Sequence, residues 1–175
     1  MIPVRSAVAT NVDAIARVHI DSWRSTYRGL VPDAVLDGLS FERRRDWWQG
    51  ILNGPQGADV LVAEDHEGRM AGFAYFGAER GNDPLYRGEL YAIYLLKEHQ
   101  QKGIGRMLVK AAAGGLLARD LDTMLVWVLS ANPARHFYER LGGVYLREKS
   151  ERVGEETLQE SAYGWSDIRP LAEMK

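Results

Sequence analysis

Between residues 95 and 108 the chain reads LLKEHQQKGIGRML, and this segment holds the residue types best suited to grip an anion. Gly103 and Gly105 follow an apolar run and open a helical pattern, with Gln100 and Gln101 just before them and Ile104 between. The first turn of a helix leaves several N–H groups unpaired and carries partial positive charge. Glycines there let the backbone curl around a phosphate with no Cβ in the way. Lys102 and Arg106 add mobile positive charge at the same place. The segment therefore reads as a pyrophosphate seat or as a plain strand-to-helix turn. It is not a Walker loop, because G-x-x-x-x-G-K-[ST] is absent. Leu108 stands where a dinucleotide fingerprint would have its third glycine.

Other reactive side chains are few. Glu89 opens the apolar run ELYAIYLL, and a period of two puts it on one face with Tyr91 and Ile93. Tyr138 shares a helical face with Ala134, Phe137 and Leu141, and Trp23 and Tyr27 are one helical turn apart. His19 falls on an apolar helix face as a core residue, His66 in a turn, His99 before the glycine loop and His136 on a helix exterior. No histidine or acid spacing suits a metal, so none is expected. Arg43 to Arg45 read as a solvated helix face. With no cysteine there is no disulfide, no thiolate zinc site and no thiol nucleophile.

These residues need a scaffold, and 175 residues of which 46% are hydrophobic favour one domain with a sizeable core. The net charge of −2 provides no field to recruit nucleic acid or an anionic membrane. No segment approaches the roughly 20 apolar residues that cross a bilayer, and no signal peptide is read, so a cytoplasmic protein is expected. Residues 2–7 suggest a short strand, and Thr10 an N-cap with Asp13 in the first turn of the next helix. A helical stretch over 33–53 breaks near Gly38, where Ser40 could cap a new helix. Gly54-Pro55-Gln56-Gly57 then makes a turn. Strands are predicted over 59–64, 70–78, 89–96 and 124–129, with a helix over 103–119 whose end is weakened by Gly114 and Gly115. Asn132 and Pro133 start another helix that Gly142 ends, and two strands follow at about 144–153 and 158–168. Strand, helix, strand over 89–129 implies a parallel pair in a mixed α/β sheet covered on both faces.

At this point three motifs resemble one family. QQKGIG fits the Q/R-x-x-G-x-G/A signature of the GCN5-related N-acetyltransferases, and ELYAIYLL is similar to their splayed central strand. NPARHFYERLG (132–142) resembles their N-x-x-A-x-x-F-Y-x-x-x-G helix, with the alanine displaced to 134. The likeness covers essentially the whole chain, residues 1–175 with a core of about 2–168. Val18 to Pro32 further resembles a bacterial subgroup of small members.

The resemblance implies a single α/β domain of about seven strands, an acetyl-CoA cosubstrate and no metal. It implies that the backbone of Ile93, Tyr94 and Leu95 pairs with the pantetheine arm and that residues 100–106 seat the pyrophosphate. Asn132 would meet the same arm as well as cap its helix. Tyr138 is either a core residue or the general acid for the CoA thiolate. Glu89 is either an exposed strand end or a base handling the amine proton, directly or through water. Trp23, Tyr27, Glu89 and Tyr91 are acceptor-site candidates, for a small-molecule or peptide amine. Tyr163 and Trp165, two apart on the last strand, form an aromatic face that would suit a homodimer. The leading function is acetyl transfer by direct amine attack. A non-catalytic acyl-CoA sensor and a nucleotide-binding enzyme are the alternatives.

Overall fold

A computed structural model describes residues 3–54 and 58–174. Strand β1 (Val4–Ser6) leads through a 3-10 turn (Ala9–Asn11) into α1 (Val12–Tyr27), followed by α2 (Asp33–Asp37) and α3 (Phe41–Asn53). Ser40 does cap α3, its hydroxyl accepting from the Arg43 N–H at 3.3 Å. Thr10 does not cap α1. Asn11 takes that position, and its Oδ1 accepts from the Val8 N–H at 3.0 Å because the chain first makes a 3-10 turn. Ile2 and the Pro55–Gly57 part of the expected turn lie outside the described residues.

The second half alternates as expected: β2 (Ala58–Glu64), β3 (Met70–Ala78), β4 (Gly88–Leu95), α4 (Ile104–Leu117), β5 (Met124–Leu129), α5 (Arg135–Arg140), β6 (Val144–Val153) and β7 (Glu156–Trp165). The last strand stops at Trp165, short of its expected end at 168, and a final turn, α6 (Arg169–Ala172), follows; Asp167 accepts from the Arg169 N–H there at 3.0 Å. The strands form one seven-stranded sheet in the order β1-β2-β3-β4-β5-β7-β6. Among the described strands of this sheet, β4 and β5 alone run parallel, because α4 must carry the chain across before it can return. Among the described residues no helix is long and apolar enough to cross a membrane.

Helices cover both faces. On one, Leu108, Ala112 and Leu116 of α4 pack with Phe76, Leu90 and Val126, and with Tyr138 of α5. On the other, Ile15 of α1 and Trp48 of α3 pack on Val62 and Phe73. Gly115 does not weaken α4 to the point of ending it; a Cβ there would meet the Phe76 ring at 2.8 Å, so the glycine lets helix and sheet approach. Tyr163 and Trp165 share a face as expected, but it is the core face. They are 3% and 5% exposed, and they bond to Glu139 and to the Leu141 carbonyl. The aromatic docking face is therefore absent, because α5 covers it.

Two irregularities in β4 shape the centre of the molecule. Tyr75 faces Ala92 while Phe76 faces Leu90, so Tyr91 is an extra, bulged residue. Pairing with β5 ends after Leu90 and Val126, and beyond it both strands continue without each other. The sheet is open where the two part.

Candidate active site

The parted edge of β4 has a definite polarity. Leu96 donates its N–H to the Ala71 carbonyl at 3.0 Å, on the β3 side. Ladder groups alternate sides along an antiparallel strand. The N–H and C=O of Ile93 and Leu95 therefore face the opening, whereas those of Tyr94 turn to Phe73. One of these groups is already used, since Gln100 donates its side-chain N–H to the Leu95 carbonyl at 3.2 Å.

The glycine loop turns into the same opening. Gln101 has φ 59° and Gly103 φ 82°, and two left-handed residues so close together fold the chain tightly ahead of α4. Gly103 stands at the N-cap, so the first amides of a 14-residue helix point at the cleft. At Gly105 a Cβ would lie 3.3 Å from the Phe137 ring, which keeps the wall close. Gln100, Gln101, Gly103, Gly105 and Arg106 all line a cleft of about 630 Å³. Ile104, expected among them, does not line the cleft, because its side chain is in the core. Lys102 does not join them; it lines a separate hollow with Asp65, Arg69 and His99 on the far side of the loop. Lys97 and Arg140 line the cleft instead. Lys97 stood in the quoted segment without a motif position, and Arg140 reaches the cleft only through the fold.

Tyr138 and Asn132 come from the β5–α5 connection. The Tyr138 ring packs between Phe137, Tyr163 and Trp165, with centroids 5.4, 6.4 and 6.3 Å away. Its residue is 6% exposed and lines the cleft, and its hydroxyl bonds to no described residue. Burial, and then nearby Tyr94, raise the pKa of this phenol, so it stays protonated at neutral pH. Asn132 accepts from the Ala134 N–H at 2.9 Å and lines the cleft too. It thus holds the turn that leads into the helix and faces the opening, but it is not the expected cap: α5 starts at Arg135, with Ala134 at its N-cap.

At the α1 end, Ser25, Thr26 and Tyr27 meet Tyr91, Tyr94 and Trp127. The Tyr27 and Tyr94 hydroxyls are 3.2 Å apart. Trp23 stands behind this wall, edge-on to Tyr27 at 4.9 Å, and does not line the cleft. His19 is a core residue as expected. It accepts from Trp48 Nε1 at 3.1 Å, stacks on Tyr94, and burial followed by Arg44 lowers its pKa to about 3.

Glu89 departs from the first of its two expectations. It is 4% exposed, so it is no solvated strand end. It is also missing from the cleft wall, and Arg80 binds both of its oxygens, Nη2 at 2.7 Å and Nε at 3.2 Å. A base at this position would have to reach the amine through water, as one form of that expectation allows. Its evident work is to hold the Arg80 guanidinium over the Tyr91 ring, 4.0 Å from the centroid. Nor does it share a face with Ile93. Leu90 and Ile93 both pack on the α4 side, which is possible only because the bulge at Tyr91 resets the alternation.

Among known proteins, the family described as FR47-like protein matches residues 82–153. Over 172 residues the chain is 38% identical to the uncharacterized N-acetyltransferase YuaI of Bacillus subtilis, covering 98% of this chain and 96% of that one. The fold is shared with PaiA N-acetyltransferase of Thermoplasma acidophilum in complex with coenzyme A, at 18% identity and a TM-score of 0.71, over 92% of this chain and 98% of that one. It is shared also with the acetyltransferase YncA of Salmonella typhimurium with acetyl-CoA, at 22% identity and a TM-score of 0.68, over 94% and 93% of the two chains. With nearly its whole length aligned to such a relative, the chain belongs to the GCN5-related N-acetyltransferases, enzymes that move an acetyl group from acetyl-CoA to an amine and need no metal.

Proposed function

We propose that this chain, acting as one domain, passes acetyl from acetyl-CoA to a primary amine of a small molecule or peptide by direct attack, with no protein nucleophile. The observation that carries the reading is the parted end of β4 and β5, with the unbonded Tyr138 hydroxyl beside it. An amide-bearing pantetheine arm suits the outward groups of Ile93 and Leu95, since it can pair with a strand edge as another strand would. The first amides of α4, with Gly103, Gly105 and Arg106, suit a pyrophosphate. Lys97 and Arg140 extend that positive lining.

Catalysis in this scheme is mostly positioning of the amine against the acetyl carbonyl. Tyr138 adds general acid help. As the C–S bond breaks, its phenol donates to the sulfur, and burial keeps that proton available. Tyr27, Tyr91 and the end of α1 form the acceptor wall. A cytoplasmic address accords with acetyl-CoA as donor. A homodimer through the C-terminal strands would have to use the edge strand β6, whose Val144 and Tyr145 are exposed, and sedimentation at micromolar concentration tests it.

The decisive experiment follows labelled acetyl from acetyl-CoA to a panel of primary amines while free CoA thiol is measured. Thiol release should depend on the amine and match the acetyl found on it. Release that ignores the amine would overturn the reading. Saturating acetyl-CoA, at about 100 Kd, should also stabilise the fold by ~2.7 kcal/mol.

A further inference from the structure

Two rows of residues cross β5, β7 and β6 on one face of the sheet. Trp127 pairs with Ala162 and Ala162 with Arg147; Leu129 pairs with Glu160 and Glu160 with Lys149. Residues two apart on a strand share a face, so all six stand on the side where Leu129 packs with Tyr27. Ala162 is too short to cover the Trp127 ring. Two cations lie over it instead, Lys149 Nζ at 4.2 Å from the centroid and Arg147 Cζ at 5.4 Å.

The two cations are not held alike. Arg147 pairs with Asp83 at 2.7 Å, and that carboxylate is buried and also accepts from the Leu85 and Tyr86 N–H groups. Lys149 pairs with Glu160 at 3.4 Å, and 42% of its side chain is exposed. An exposed single ion pair of this length holds weakly, so Lys149 can leave where Arg147 cannot. Trp127 is also a wall of the cleft, together with Tyr27, Tyr91 and Tyr94, whereas Glu160 and the Lys149 that pairs with it are outside that lining, so the seat opens to the cleft only when Lys149 leaves.

We infer that Trp127 and Glu160 form a seat for a second, non-reacting ammonium of the acceptor, and that Lys149 fills this seat in the free enzyme. An aromatic face with a carboxylate beside it is the chemistry that holds a primary ammonium. Lys149 displays the ligand it takes, a primary ammonium on a flexible methylene chain. The acceptor class is then an α,ω-diamine, or a peptide amine with a second ammonium at a comparable distance. This deepens the acetyl-transfer reading above and rests on it.

The test compares n-alkylamines with α,ω-diaminoalkanes of the same length, from three to six carbons. In the native enzyme at least one diamine should exceed its monoamine in kcat/KM by roughly 3- to 30-fold, the range a cation on an aromatic face supports. Glu160→Gln should bring that ratio close to one. Lys149→Met should raise it by lowering the diamine KM, because an internal competitor is gone. A merely structural cross-strand pair predicts a lower Tm in both variants with the ratio unmoved, and that result overturns the inference. Where no amine is acetylated, calorimetric titration of the CoA-loaded enzyme with the same amines decides. Preferential diamine binding, lost in Glu160→Gln, supports the seat, while equal or absent binding overturns it. Failure of CoA itself to bind overturns the acetyl-transfer reading, a separate outcome.

Discussion

Replacing Tyr138 with Phe deletes one oxygen and keeps the ring. The hydroxyl bonds to no described residue, and the ring keeps its contacts with Phe137, Tyr163 and Trp165. The fold should therefore change little, because no hydrogen bond to a described residue is lost and the ring packing stays. Turnover should fall by roughly 10²–10⁴-fold, the usual worth of a positioned acid, equivalent to ~3–5 kcal/mol of barrier. Acetyl-CoA affinity should hold, because the interaction is made as the thiolate departs. The pH behaviour is specific as well. An acid must be protonated to act, and burial raises this phenol above its ordinary value of 10.0. Native turnover should thus show no alkaline fall from Tyr138 below about pH 10.

The assay is kcat and the acetyl-CoA Kd of both proteins between pH 6 and 10, with Tm measured alongside. Turnover within a few fold of the native enzyme across that range would refute the acid role and leave Tyr138 as core. An alkaline limb with an apparent pKa near 8 that vanishes in Tyr138→Phe would refute the burial argument instead.

Gly105→Val should weaken CoA binding by about tenfold or more, ~1.4 kcal/mol, in a protein that still folds. A Cβ at 105 already lies 3.3 Å from the Phe137 ring and 3.4 Å from Leu95, and two further methyls must enter the cleft wall; calorimetry with CoA checks it. Asn132→Ala removes the acceptor for the Ala134 N–H and should cost ~1 kcal/mol of stability, read by denaturant melting, together with some CoA affinity. His19 titrates at about 3 in the fold against 6.5 ordinarily, so the unfolded chain binds the extra proton. Its contribution is full above about pH 6.5 and is lost as pH falls toward 3, at up to ~1.4 kcal/mol per pH unit; His19→Gln should remove that slope from the urea stability profile.

The regular elements were largely legible because one signal governs each of them. Met70–Ala78 and Met124–Leu129 are apolar runs bounded by polar turns, and both strands have the predicted limits. Ser40 announced α3 through a local hydrogen bond that needs no tertiary partner. Thr10 misled because the chain first makes a 3-10 turn over Ala9–Asn11, which moves the N-cap position one residue on. Tyr163 and Trp165 misled because alternation shows that two residues share a face and is silent on what covers it. Lys97, Arg140 and Trp127 reach the cleft only through folding, so spacing in the chain could not single them out.

The bulge at Tyr91 is the deepest of these gaps, and it decides which carboxylate can serve the acceptor. Strict alternation along ELYAIYLL sets Glu89, Tyr91 and Ile93 in a row and makes the glutamate a natural base. One extra residue breaks the row. It returns Ile93 to the α4 face with Leu90, and leaves Ala92 and Tyr94 on the α1 face with Phe73. Glu89 then lies in the zippered part of the sheet, before the strands part, where Arg80 claims it. The opening itself begins two residues later, under Tyr91. On its other bank, the row that starts at Leu129 brings Glu160 to the acceptor face, bound by one exposed lysine. A buried, doubly held carboxylate resists a new cation, whereas a singly held one at the rim exchanges partners readily. The same parting of β4 and β5 that frees backbone for a CoA arm therefore moves acceptor recognition from β4 to β7.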